Sequence, residues 1–397
     1  MGSQAGSNAL TEFPITRPEF GEEEISALRK VLDSGWVTQG PATAQFEKTF
    51  ARRHLVDHAL ACTSCTAALH LSVLALGMGP GDELVVPAFT WVTSAHCAEY
   101  VGARVAFCDI DPETFNIDPQ AAAAATNART RAILPVHLFG LPADMDAINA
   151  LAKKHSVAVI EDAACATGST YKGRPVGGLG DLGCFSFHPR KVVTTGEGGM
   201  VTSNRIDLAD RVANLRNHGA NRSLSPQNPK PYQMGVFDQL GFNLRLSDIQ
   251  AAVGLAQMER LEKLLQHRRA MAQGYHERLK SIDWLRLPHQ VSADYGHTYQ
   301  SYVIWVREHA PLPRNTLMEH LGARRIQTRP GTMAVHCTRY YSERYNLRPE
   351  QFPNAFAAQE QTITLPIFPG MTEAHLDYIS DGIRLAEQTN GAMRRAG

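Results

Sequence analysis

The amino-acid sequence predicts an α/β protein: a three-layer large domain on a mainly parallel sheet, followed by a smaller α+β domain at the carboxyl end. Three observations predict it. Short apolar runs alternate with amphipathic stretches from residue 58 to residue 163, and strands spaced by helices of this length build parallel βαβ units with helices on both faces of the sheet. A long helical pattern over residues 247–280 then reads as a bridge between two domains. The last hundred or so residues mix strand and helix patterns, which suits a second, smaller domain.

Taken in order, residues 58–63 are a strand, and residues 67–77 a helix with Leu69, Val73 and Leu76 on one side, ending at Gly77. Strands follow at 84–88, 105–110 and 132–138, separated by helices at 93–102 and 119–126. A helix at 145–155 leads into the strand 157–163, which runs into two acids. The pattern then changes: 184–187 and 200–203 are strands separated by a polar, Gly-rich turn, 208–216 is a helix and 220–240 a polar loop. Beyond the long helix come a strand at 302–306 and helices at 316–321 and 373–387. The domain boundaries expected from this pattern are a flexible tail over 1–14, a large domain over 15–260 and a small domain over 261–397.

Composition removes several function classes. The 397 residues carry 39 basic and 39 acidic side chains, a balance that lacks the electrostatic footprint of a nucleic-acid binder. With 44% hydrophobic and 20% charged residues the chain is an ordinary globular mix. No apolar run approaches the roughly 18 to 20 residues of a membrane span. The Gly/Ser-rich start shows no basic region followed by an apolar stretch, so a cytoplasmic protein is expected. Seven cysteines, at 62, 65, 97, 108, 165, 184 and 337, are scattered and odd in number. Cys62 and Cys65 have redox or zinc spacing, but no second Cys-x-x-Cys supplies the other ligand pair, so no metal is expected.

Four constellations bear on chemistry. Gly178-Leu179-Gly180-Asp181-Leu182-Gly183 satisfies the dinucleotide fingerprint, yet the glycines open a strand instead of a helix, the reverse of the context that binds a pyrophosphate. They read as a tight loop. Thr63-Ser64-Cys65-Thr66 stands where a strand turns into a helix, a place for either a cap or a phosphate cradle. Glu161 and Asp162 end a buried strand, and ligands of open α/β sheets gather at such strand ends. Lys191 lies just past a strand, beside His188, Arg190 and the turn Gly196-Glu197-Gly198-Gly199. A lysine used for Schiff-base chemistry needs desolvation or cationic neighbours to free its amine. One cofactor would use all four kinds of group: pyridoxal phosphate requires a lysine, a carboxylate for its ring nitrogen, a phosphate cradle and an aromatic ring on its face. Lys191, Asp162, the segment 64–66 and Trp91 could supply them.

The sequence resembles the DegT/DnrJ/EryC1/StrS family of sugar aminotransferases, fold-type I pyridoxal-phosphate enzymes, from about Pro18 to Leu385. The resemblance rests on Ser64-Cys65-Thr66-Ala67-Ala68-Leu69-His70, on Val159-Ile160-Glu161-Asp162-Ala163-Ala164, on Phe185 through Gly199 and on Gly241-Phe242-Asn243-Leu244-Arg245. It implies that Lys191 forms the aldimine with the cofactor, that Asp162 pairs with the pyridinium nitrogen and that Trp91 stacks on the ring. Ser64, Cys65, Thr66 and Ser186 would hold the phosphate, joined by Asn243 from a neighbouring subunit, and His188 is a further catalytic candidate. Arg245, His297, Arg329 and His336 match positions near a sugar nucleotide. At Cys165 relatives usually carry Gln, His or Glu, so this sequence departs from the pattern with a weaker hydrogen-bonding group.

The resemblance further implies a homodimer with shared sites that moves an amino group from L-glutamate to a ketosugar nucleotide. Relatives that act as dehydratases carry His where this chain has Lys191. Alternatives are a non-nucleotide acceptor such as a keto-cyclitol, an NAD(P)-dependent sugar-nucleotide oxidoreductase, another fold-type I chemistry such as a lyase, and a cofactor-binding regulatory protein.

Overall fold

The computed structural model describes residues 12–221, 224–225, 230–289 and 292–396. Seven strands make the central sheet: β1 (His58–Cys62), β2 (Glu83–Pro87), β3 (Arg104–Cys108), β4 (Thr130–Ile133), β5 (Ala158–Asp162), β6 (Leu182–Ser186) and β7 (Gly199–Ser203). Their order is β1-β7-β6-β5-β4-β2-β3. Only β7 is reversed, antiparallel to both β1 and β6, while the remaining pairs are parallel. The reversal follows from the connection 187–198, which contains no helix and returns from the end of β6 where it leaves. A parallel return would need a crossover. The hairpin therefore holds Lys191 at the carboxyl edge of the parallel strands.

Every position of β2, β6 and β7 is buried, as expected for strands covered on both faces. On one face, α3 (Cys65–Ala75), α4 (Thr93–Tyr100) and α7 (Ile206–Leu215) pack through Leu69, Val73, Ala95 and Val212. The other face carries α5 (Pro119–Ala125) and α6 (Met145–His155), joined through Ile133, Met145 and Ile148. It also carries Phe46 and Phe50, which meet Phe185 and Phe187.

The sequence reading assigns nothing before residue 58, where the structure places α1 (Glu22–Ser34) and α2 (Pro41–His54). The start of α2 is capped from far along the chain. Asp248 accepts the amides of Gly40, Ala42 and Thr43 at 2.8–3.0 Å and the Thr43 hydroxyl at 2.6 Å, which places a carboxylate at the positive helix end.

Two expectations are corrected. The single helix over 247–280 is two helices, α8 (Asp248–Glu259) and α9 (Leu261–Leu279), broken at Arg260 (φ −96°, ψ 0°). Arg260 is tied to the amino-terminal segment, donating through Nη2 to Glu24 Oε1 at 2.7 Å and to the Glu19 carbonyl at 3.0 Å. The tail also ends sooner than residue 14. Phe13 exchanges backbone hydrogen bonds with Arg325 and Gln327, stacks on Tyr378 and is buried. An aromatic side chain with a pocket to fill outweighs the entropy of the Gly/Ser-rich start. Residues 1–11 of that tail lie outside the described residues.

Phe13 belongs to a second core, built from Tyr275, Leu279, Ile304, Leu317, Ile363 and Ile379. Its strands β8 (Leu285–Arg286), β9 (Tyr302–Val306) and β10 (Thr362–Leu365) form an antiparallel sheet. α9, α10 (Arg314–Ala323) and α13 (Glu373–Ala396) cover it, while α11 (Arg339–Tyr345) and α12 (Pro353–Gln361) lean on the first core. No helix among the described residues is long and apolar enough to cross a membrane.

Candidate active site

The carboxyl ends of the parallel strands open into one cavity of about 730 Å³. Asp162, the last residue of β5, lines it and is itself buried. Its Oδ2 accepts the Ser94 hydroxyl at 2.7 Å and its Oδ1 the Ala164 amide at 3.1 Å. Thr90 Oγ1 in turn lies 2.9 Å from Ser94 Oγ. No cation among the described residues stands within ion-pair distance of this carboxylate. A buried carboxylate without a counter-ion is costly, and this one fits a cationic ligand group supplied from the cavity.

Lys191 faces the same cavity, its Nζ 3.1 Å from Cys165 Sγ. The turn that carries it is fixed by His188, whose carbonyl accepts the Lys191 amide at 2.8 Å and whose Nδ1 accepts the Arg190 amide at 3.1 Å. Burial holds the His188 ring below the usual imidazole pKa, opposed by Glu197 and helped by the charges of Lys191 and Arg190. His188 thus positions the lysine through the backbone.

The third part is the start of α3. Ser64 caps the helix by accepting the Ala67 amide at 3.1 Å, and the amides of Cys65 and Thr66 have no intrahelical acceptor. Ser186, at the end of β6, lines the cavity with them. Gly199 makes room for this cradle. A Cβ there would come within 2.4 Å of the Ser64 carbonyl and 2.7 Å of the Cys65 amide nitrogen. Trp91 also lines the cavity and is 59% exposed, which leaves its ring free to cover a ligand.

The structure therefore brings together Lys191, Asp162, Cys165, His188, Ser64, Cys65, Thr66, Ser186, Trp91 and Arg329. Four of the expected residues are not there. His297 is buried against Tyr299, its ring centroid 3.9 Å from the tyrosine's, with Nδ1 accepting the Tyr299 amide at 3.0 Å. Burial pushes its pKa down to about 3. His336 is turned away toward Pro349 and Phe352, with Nε2 3.2 Å from Cys337 Sγ. Local contacts in the fold capture both imidazoles. Asn243 is exposed and Arg245 Nη1 donates to Asn217 Oδ1 at 2.6 Å, so neither reaches its own chain's cavity.

Sequence reasoning missed Ser94, 68 positions from the aspartate it holds, and the small-domain residues Gln300, Arg314, Gln359 and Glu360 on the cavity wall. Ser94 stands among Thr93, His96 and Glu99 in α4, so its residue type gave no signal. Gln300 donates to the Arg190 carbonyl at 2.5 Å and so ties the lysine turn to the small domain.

The glycine string has a different occupant from a nucleotide. The amides of Gly177, Leu179 and Gly180 donate at 2.7–2.8 Å to the carboxylate of Glu161, which is fully buried and 2.9 Å from His137 Nε2. Burial raises the Glu161 pKa, but the hydrogen bonds from His137 and the amides outweigh it, leaving the carboxyl below its usual range. An amide cannot accept all these donors, so Glu161→Gln is expected to cost about 3 kcal/mol or more, the scale of a broken buried pair. Urea unfolding of the two proteins checks it. Because the folded pKa is depressed, this stabilisation is full above the unfolded value near ~4.3 and fades as pH falls through the folded one.

A lysine amine, a buried carboxylate lacking a cation, a helix-start cradle and an exposed indole line one cavity, the kinds of group that pyridoxal phosphate requires. The chain belongs to the DegT/DnrJ/EryC1/StrS aminotransferase family, whose model matches residues 18–384. It is a pyridoxal-phosphate-dependent aminotransferase. It is 37% identical over 378 residues to the spore coat polysaccharide biosynthesis protein SpsC of Bacillus subtilis, covering 94% of this chain and 96% of that one. Among solved structures, it superimposes on Spr1654 of Streptococcus pneumoniae in its PLP form, described as a putative sugar aminotransferase, with TM-score 0.88 and 27% identity, over 96% and 99% of the two chains. Helicobacter pylori PseC, an aminotransferase of pseudaminic acid biosynthesis, matches with TM-score 0.89 and 26% identity over 96% and 100%.

Proposed function

We propose that the protein moves an amino group from L-glutamate to a ketosugar nucleotide of the 3- or 4-keto-6-deoxy type, giving an aminosugar nucleotide for surface polysaccharide or natural-product glycans. One observation carries this reading. Beyond Lys191 and Asp162, the roughly 730 Å³ cavity is lined by Arg190, Arg314 and Arg329, and the buried Arg329 Nε has no hydrogen-bond partner. Guanidinium groups around a space of this volume suit a phosphorylated acceptor. The names of SpsC and PseC, both tied to glycan building blocks, support the same class.

Bound pyridoxal phosphate supplies an electron sink for the carbanion left on the amino donor. Lys191 Nζ would hold the cofactor and act as the acid–base group that takes up the donor's α-proton, and would serve the acceptor in the reverse sense. Asp162 keeps a negative charge against the ring nitrogen, and Ser94 and the Ala164 amide hold that carboxylate in place. The amides of Cys65 and Thr66, with the hydroxyls of Ser64, Thr66 and Ser186, bind the phosphate. Trp91 covers the ring, and Cys165 stands beside the lysine. Screening ketosugar nucleotides and keto-cyclitols with L-glutamate tests the substrate class. The reading expects the highest kcat/KM on a nucleotide-linked ketone, and turnover of cyclitols alone contradicts it.

The active unit in this reading is a homodimer with shared sites. Asn243 and Arg245 lie outside their own cavity, next to a segment that exposes Tyr232, Met234, Phe237 and Leu240. A cluster of exposed large apolar side chains marks an interaction surface. Mixing equal amounts of an inactive Lys191→Ala chain and an inactive Asn243→Ala/Arg245→Ala chain is expected to restore about a quarter of wild-type activity, since roughly half the dimers are mixed and each of those holds one intact site of two. No recovery despite proven subunit exchange rules sharing out.

A further inference from the structure

A second cavity, of about 330 Å³, lies behind the lysine turn, where Lys191, Val192 and Thr194 meet the α8–α9 junction and the turn 368–372 of the small domain. Its lining is cationic. Arg17 and Lys263 stand exposed at the rim, and the buried Arg268 sits inside with His267. Arg260 is neutralised by Glu24 at 2.7 Å, with Glu19 at 3.8 Å. The others are not. Among the described residues no carboxylate comes within ion-pair distance of Arg17, Lys263 or Arg268.

Arg268 is the strongest of the three. Its Nη1 meets only the Tyr299 and Gln300 carbonyls at 3.3 Å, and its Nη2 only Thr16 Oγ1 at 3.4 Å. These contacts are long for a guanidinium. Burial with no compensating charge pulls even this group's pKa down to about 10. A buried, uncompensated cation flanked by two more around a cavity calls for an anion.

We propose that this cavity is a second anion site that binds a phosphate monoester no larger than a sugar phosphate. Three separate cations match the several oxygens of a dianionic phosphate. The volume lies at the small end of ligand cavities and holds little beyond a phosphorylated monosaccharide. An occupant bridges the large and small domains and braces the Lys191 turn from the side opposite the reaction.

Calorimetric titration of the holoenzyme tests the site, because the bound cofactor already fills the phosphate cradle at α3. Inorganic phosphate and glucose 1-phosphate are the probes, with succinate as a dicarboxylate control. One saturable phosphate site per chain is expected beside α9, with its Kd raised about tenfold or more by Arg17→Gln or Lys263→Gln, the scale of one charge-assisted contact. Neither substitution touches the catalytic cavity, so kcat in phosphate-free buffer stays at the wild-type value. Absence of saturable binding overturns the proposal, as does tighter binding of succinate. Phosphate binding that survives both rim variants and is lost in Arg329→Gln assigns the anion to the catalytic cavity and overturns it equally.

Discussion

Replacing Lys191 with alanine is expected to abolish transamination and leave the fold intact. Among the described residues Lys191 is the only lysine on the cavity wall, and the guanidinium groups there are those of Arg190, Arg314 and Arg329. Guanidinium groups stay protonated at every working pH, so none of them can take over as a base. The loss combines the acid–base role, worth about 10² to 10⁴ in rate, with loss of the group that holds the cofactor covalently. Activity should fall by more than about four orders of magnitude. The structural cost is small, since among the described residues the Lys191 side chain bonds only to Cys165. A steady-state assay beside a thermal melt reads both effects. Substantial turnover by the alanine variant without added amines would sink the assignment.

Asp162→Asn should separate binding from chemistry. An asparagine with Oδ1 on the Ala164 amide keeps that bond, and its Nδ2 donates to Ser94 Oγ, whose hydroxyl turns to Thr90 Oγ1, so the side chain keeps its place. What disappears is the negative charge opposite the ring nitrogen. That charge counts most when electrons flow into the ring, so kcat should drop by roughly 10³ or more while the protein remains yellow. The cofactor's visible absorbance and kcat measured on one preparation check this. A wild-type rate for the asparagine variant would mean that another group keeps the ring protonated.

Much of this site is legible in the linear sequence because a parallel sheet brings strand ends together. Asp162 and Ser186 each close an apolar run, and the cradle follows another, so strand recognition alone brings all three to one edge. Lys191 is legible for a related reason, since a helix-free return from β6 leaves it at that same edge. What sequence pattern hides is partnership across distance. Ser94 on Asp162, Asp248 on the start of α2 and the glycine loop around Glu161 join residues 16 to 208 positions apart. The break at Arg260 is of this kind too, because the helical period continues through it while Arg260 is tied to Glu24 and Glu19 far back in the chain. His297 and His336 show the opposite failure. Their neighbours along the chain, Gln300 and Met333, reach the cavity wall, but each imidazole is held by local contacts that no spacing reveals.

The central claim is that an amino group passes from a donor amino acid to a sugar nucleotide through the Lys191–Asp162 site. Transfer of isotope from L-[¹⁵N]glutamate tests it most directly. The holoenzyme, labelled glutamate and a ketosugar nucleotide should give an aminosugar nucleotide one mass unit heavier than that from unlabelled donor, with an equal amount of 2-oxoglutarate, and no label transfer with Lys191→Ala. Label released as ammonia, or a sugar product that is dehydrated or reduced and carries no nitrogen from the donor, would contradict the account.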